Sequence, residues 1–160
     1  MTESFTFDTI PENSTQLEGM LQLSTPFETA ALSVLVFCHY EKNAEETFEM
    51  IDRLKGPAPL SNFDKQFLNE RLKGKEYKPF SFFEGATPSN NYTPDKPYRI
   101  SVSDNPYSYT NEGYATVYLK SNGADSPRPI TLRQKGDKWY LWQISFLSDI
   151  KLPAKDDAWS

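Results

Sequence analysis

The sequence predicts an α+β fold, with three N-terminal helices packed on one face of a C-terminal four-stranded antiparallel meander. Three observations carry this reading. Capping signals open three helical segments before residue 75. The apolar spacing then changes from helical to strictly alternating after residue 97. Turn residues separate the alternating runs, as expected for a sheet that helices cover on one side.

The first helix starts at Ser24-Thr25-Pro26-Phe27-Glu28. Thr25 suits the N-cap, Pro26 the first helical position, and Glu28 the closing position of a capping box. Leu32, Val34, Leu35, Val36 and Phe37 make the segment apolar almost all round, the pattern of a buried central helix. A second helix opens at Asn43, with Glu46 three residues on, and stops at Gly56 before Pro57. Its Phe48, Ile51 and Leu54 share one face. A third runs from Ser61 to Gly74, with Asp64 in its first turn and a stripe of Phe63, Phe67 and Leu68 that extends toward Leu72. No element is assigned before residue 14.

Residues 75–97 lack periodicity. Pro79, Pro88, Pro94 and Pro97 alternate with Tyr77, Phe80, Phe82, Phe83 and Tyr92. Their aromatics distinguish them from a disordered linker, and Phe80 to Phe83 suggest a short edge strand within a packed loop. The strands follow at Tyr98–Val102, Tyr114–Leu119, Ile130–Arg133 and Trp139–Ile144, divided by turn signals at Ser121-Asn122-Gly123 and Gly136-Asp137. The expected organisation is one domain over 1–160: helices at 14–74, a Pro/aromatic loop at 75–97, sheet at 98–146 and a tail at 147–160.

The tight turn at Gly136-Asp137 sets a register. Lys135 pairs with Lys138, Gln134 with Trp139, Arg133 with Tyr140, Leu132 with Leu141 and Thr131 with Trp142. Alternation then sorts the sheet into two faces. Ile100, Val102, Ala115, Val117, Leu119, Ile130, Leu132, Trp139 and Leu141 form the face the helices cover. The other holds Arg99, Ser101, Tyr114, Thr116, Tyr118, Thr131, Arg133, Tyr140, Trp142 and Ile144. Tyr, Trp and Arg bury large area while keeping a polar handle, so Tyr114, Tyr118, Arg133, Tyr140 and Trp142 are the candidate binding surface. The competing expectation is that the aromatic loop folds over that face as ordinary packing.

Composition narrows the function classes. The 160 residues carry 17 Lys and Arg against 22 Asp and Glu, a formal charge of −5. The cations are scattered, and their densest group, Arg71 to Lys75, reads as the last turn of a helix. Nucleic acid is therefore not an expected partner. The longest apolar stretch, Ala30 to Cys38, is far below the ~20 residues of a spanning helix. The first residues show no basic region leading into an apolar run, so the expected location is the cytoplasm, without a membrane.

Chemistry-bearing residues are few. Cys38 is the single cysteine, which excludes an internal disulfide and a thiolate metal cage. It lies in the apolar helix as a buried, inert thiol. His39 is the single histidine. His39-Tyr40-Glu41 matches the H-x-E of zinc deaminases, but their P-C-x-x-C cannot be built from one cysteine. A cationic cap on the first helix's C-terminal end explains His39 more simply. No catalytic residue, metal or cofactor is assigned.

The helices-then-meander order, closed by the hairpin Ile130 to Trp142, resembles the cone-shaped α+β folds of the SnoaL-like and cystatin-like group. That likeness implies a polar pocket, but no His-Asp or Tyr-Asp pair matches here. The tail, Ile150-Lys151-Leu152-Pro153 through Asp157-Ala158-Trp159, resembles the ending of a family of small bacterial proteins of unknown function.

Two functional readings follow. The first is a non-catalytic binding or interaction module that uses the aromatic sheet face or the loop to meet a protein partner or a copy of itself. The second is a small-molecule-binding or enzymatic cone, with a pocket between the first helix and the sheet and His39, Tyr40 or Glu41 at its mouth. A deep cavity with converging polar groups would favour the second; a filled core beneath an open aromatic face would favour the first.

Overall fold

A computed structural model describes residues 1–160. The architecture is α+β, with one antiparallel sheet in the order β1-β2-β3-β4-β5. The strands are β1 (Thr2–Phe7), β2 (Tyr98–Ser103), β3 (Tyr114–Leu119), β4 (Arg128–Lys135) and β5 (Lys138–Ile144). The helices are α1 (Ser14–Glu18), α2 (Pro26–Phe37), α3 (Ala44–Lys55), α4 (Asn62–Leu72) and α5 (Tyr77–Phe80).

The expectation of four strands is corrected to five. Thr2–Phe7 pairs with β2 along its whole length, from Thr2 opposite Ser103 to Phe7 opposite Tyr98. Phe5 and Phe7 turn inward, while Thr2 and Ser4 place their hydroxyls 2.9 Å from those of Ser103 and Ser101. Three helices become five, because α1 and α5 are short turns added to the three expected ones. Phe80 to Phe83 is not an edge strand. Phe80 ends α5, and Glu84 N donates to Arg99 O.

That last contact explains the long loop. β2 and β3 pair only at Val102–Leu119 and Ser103–Tyr118, then diverge. Residues 81–86 fill the opening: Asn122 donates to Phe83 O and Ala86 O, and Ser121 Oγ to Ser81 Oγ. Phe82 and Phe83 are buried in the core, edge-on to Phe146 and Tyr98. The loop's aromatics therefore join the helix-side core, and the outer face of β3 to β5 is flanked instead by Tyr107 to Asn111, with Arg133, Trp142 and Gln143 left exposed.

α2 lies across the sheet and touches all five strands. Eleven of its residues are buried, including Thr29 and Ser33. Thr29 Oγ1 donates to Trp139 O at 2.8 Å, and Ser33 Oγ to Thr29 O at 2.7 Å, so neither hydroxyl is orphaned. The capping expectation is half met. Thr25 accepts from Glu28 N, but the Glu28 carboxylate reaches past Thr25 to accept from Gln22 N and Leu23 N. In α4 the stripe is also adjusted: Leu68 and Leu72 are buried, whereas Phe63 is 77% exposed.

The hairpin register holds from Lys135–Lys138 to Leu132–Leu141, then shifts. Thr131 pairs with Gln143, not Trp142, because a β-bulge leaves Trp142 as the extra residue. Ile144 consequently pairs with Ile130 and packs on the core, which corrects its assignment to the outer face. The other assignments to the inner face of the sheet agree with burial. Ile100, Val102, Ala115, Val117, Leu119, Ile130, Leu132 and Leu141 are all buried, and Trp139 packs half-buried against the core.

Candidate binding face

The bulge sets the site. Arg133 on β4 and Tyr114 on β3 are paired residues and share the outer face. The guanidinium carbon of Arg133 lies 4.6 Å from the Trp142 ring centroid and 5.3 Å from that of Tyr114. Tyr114 and Trp142 meet edge to face at 5.9 Å. This geometry is favourable because an aromatic face is electron-rich and a guanidinium stacks well on it. Trp142 remains 38% exposed, and none of the protein's ion pairs involves Arg133.

Tyr140 sits opposite Arg133, and its ring lies against Gly56. Gly56 has φ +61°, and a Cβ there would stand 2.5 Å from the Tyr140 ring. Glycine is required on both counts. Past Gly56 the chain runs on through Pro57 and Ala58, which together with Tyr140, Trp142, Arg133 and Lys55 line a cleft of about 380 Å³. Lys55 is buried, and its ammonium donates to Trp142 O at 3.2 Å. Burial pushes its pKa below the ordinary lysine value, while Asp64 and Asp52 act in the other direction. A second cleft of about 260 Å³ lies between α4 and β5 and shares Lys55 and Trp142 with the first. Trp142 thus forms the ridge between two clefts.

Of the five expected surface residues, the fold brings Tyr114, Arg133 and Trp142 into one cluster and places Tyr140 beside it. Tyr118 lies further along β3, opposite Pro129 and Ser103. The role of Lys55 was not foreseen. As a basic residue in a helix's last turn it reads as an ordinary cation facing solvent. Only the tertiary approach of α3 to β5 reveals it.

The other candidate trio does not converge. His39 and Tyr40 are buried, and Glu41 is exposed at the rim of a separate cleft near Tyr77 and Tyr92. Burial lowers the His39 pKa, opposed by Glu12 and Glu46, which works against the charged form that the expected cap calls for. The Tyr40 hydroxyl donates to Asn69 Oδ1. Between α2 and the sheet the space is filled: Ala30, Leu32, Val34, Leu35 and Phe37 belong to one core cluster of 33 buried residues. Cys38 is a buried free thiol whose pKa burial holds well above its ordinary value. No group of three or more His, Cys, Asp or Glu side chains is arranged to hold a metal, and no helix is long and apolar enough to cross a membrane.

Fold and site together define an α+β domain with a closed core and an open cationic-aromatic sheet face. The chain belongs to the family described as Domain of unknown function (DUF6935), which matches residues 9–154. No curated protein and no solved structure matches the chain, so the likeness to SnoaL-like and cystatin-like cones gains no support there.

Proposed function

We propose that this protein is a non-catalytic interaction module, and that the outer sheet face at Tyr114, Arg133 and Trp142 is where it meets another protein chain. One observation carries the reading: Arg133 lies over the touching rings of Trp142 and Tyr114, and both Arg133 and Trp142 stay exposed on the outer face of the sheet. Stacking holds the guanidinium in place without neutralising it. Such a preformed Arg–Trp–Tyr cluster loses little conformational freedom on contact and gives up water readily. The filled space beneath α2 supports the same reading.

The test places a photo-reactive benzoylphenylalanine at Gln143, exposed beside Trp142, and at Glu70 on α4 as a control, in the protein's native cells. Irradiation is expected to give a discrete adduct from position 143, either with a second copy or with another protein, and none from position 70. The absence of any adduct from position 143 contradicts the reading.

A further inference from the structure

We infer that the cleft beside Trp142 receives residues 156–159 of a second copy of this chain, with the Trp159 indole inside it and Asp156 and Asp157 against Arg133 and Lys135. This rests on the reading of the Trp142 face as a contact surface and names its occupant.

The receiving side has a defined chemistry. Pro57, Ala58, Tyr140 and Trp142 wall a cleft of about 380 Å³, within the range of pockets that hold a large side chain or small ligand. Its charged residues are Lys55, Arg133 and Lys135, all cations, in a chain whose net charge is −5. None is ion-paired: the three ion pairs of the protein are Met1–Asp104, Arg53–Glu18 and Arg99–Glu84. Lys55 is only 8% exposed and has one acceptor, Trp142 O, for three ammonium protons. Its neighbours Asp52 and Asp64 are already engaged by Leu60 N and Ser61 N. A buried ammonium without a carboxylate against it is unfavourable. With Arg133 and Lys135 exposed and unpaired beside the apolar walls, the cleft suits an apolar body that carries carboxylates.

The same chain presents that chemistry elsewhere. Trp159 is 95% exposed, the most exposed large apolar side chain in the protein. An indole left in water forgoes the burial of some 150–250 Å² of surface. Asp156 and Asp157 precede it, and neither is ion-paired. The segment is ordered rather than loose: Trp159 N donates to Asp157 Oδ1 at 2.9 Å, and Ser160 Oγ to Ala154 O at 2.6 Å. It is tethered to its own body by Lys155 N to Asn91 Oδ1 and by the Tyr92 hydroxyl to Lys151 O. Lys155 and Asp156 both line the separate cleft near Tyr77 and Tyr92, where Asp156 stays exposed and makes no ion pair with Lys155. Each copy thus carries one anionic-aromatic segment and one cationic-apolar cleft, which is what a reciprocal pair requires.

Sedimentation velocity from micromolar to near-millimolar protein tests this. Six forms are compared: wild type, Trp159→Ala, Arg133→Glu with Lys135→Glu, Asp156→Lys with Asp157→Lys, both reversals together, and Trp142→Ala. Wild type is expected to dimerise, and the first three variants to weaken the dimer at least tenfold. The combined reversal should return to within about threefold of wild type, a rescue that a folding defect cannot produce. A wild type that stays monomeric, or a Trp159→Ala that dimerises like wild type, overturns the inference. A dimer lost in Trp142→Ala but kept in Trp159→Ala removes the 156–159 segment and leaves the contact surface standing. A monomeric wild type that still cross-links through position 143 to other proteins does the same. Loss of both the dimer and the cross-link removes both.

Discussion

Arg133 lies over the Trp142 ring at 4.6 Å, although the two residues are not paired across the hairpin. The β-bulge makes the contact: Leu141 and Gln143 take the partners on β4, and Trp142 is left free to settle on Arg133 and Tyr114. The same residue offers its carbonyl to Lys55, so α3, the bulge and the outer face are joined at one point.

Because this cluster is superficial, its removal should leave the fold intact. Arg133→Ala with Trp142→Ala is expected to lower stability by about 1–2 kcal/mol, the sum of an exposed cation–π contact and an aromatic pair. Thermal melts at matched concentration check this. A loss of the size seen for a core truncation would mean that the cluster holds the sheet together rather than presenting a surface.

The two faces of the sheet should answer differently to truncation. Leu132 and Val117 are fully buried, and Leu132→Ala is expected to destabilise by about 2–5 kcal/mol. Thr116 and Thr131 face each other outside, with hydroxyls 3.1 Å apart, and either alanine variant should cost about 0.5–1.5 kcal/mol. Urea melts of the four variants provide the comparison.

Three glycines separate steric from conformational effects. Gly56 combines φ +61° with the Tyr140 ring against it, so Gly56→Ala should be strongly destabilising and should disturb the cleft. Gly136 has φ +63° but open space around it, so Gly136→Ala should cost only about 1–2 kcal/mol. Gly123 has no positive φ, but a Cβ would meet the Tyr92 hydroxyl. Gly123→Ala should therefore free the tail from Tyr92, seen as faster amide exchange near Lys151.

Alkaline pH should expose the Tyr92 contact. Tyr92 is buried, and burial raises its pKa from about 10 to about 12, with Tyr77 adding to the effect. The folded state therefore keeps a proton that the unfolded chain has released. This stability is present below pH 10 and is lost as pH rises from 10 toward 12. Tyr92→Phe should be less stable at neutral pH, yet show a smaller fall between pH 10 and 12. Equal falls in both proteins would contradict the assignment.

Much of the fold was legible in the residues. Thr25, Asn43 and Ser61 all cap helices as read, each accepting from the backbone N–H three residues on. The hairpin register followed from Gly136-Asp137 as far as Leu141. What escaped has physical causes. Thr2–Phe7 alternates, but Glu3 occupies an inward position and blurs the period, so β1 was unread. A bulge leaves no signature in an alternating run, which misplaced Ile144. The 75–97 aromatics fill a gap between β2 and β3 that exists only in three dimensions. Strand alternation was enough to group Tyr114 with Arg133 on one face, whereas the contact of Trp142 with both depends on the bulge. The cleft was not legible, since it depends on Lys55 and Pro57 arriving from α3.

The central claim, that the Tyr114–Arg133–Trp142 face contacts another chain, is tested most directly by oxidative footprinting in intact native cells and in dilute purified protein. Hydroxyl radicals report the solvent access of aromatic rings, and mass spectrometry locates the oxidised residue. The account predicts that Trp142 and Tyr114 are protected in cells relative to the dilute protein, while Tyr77 and Tyr92, stacked on each other at 5.5 Å, react alike in both. Equal oxidation of Trp142 in the two conditions would contradict it.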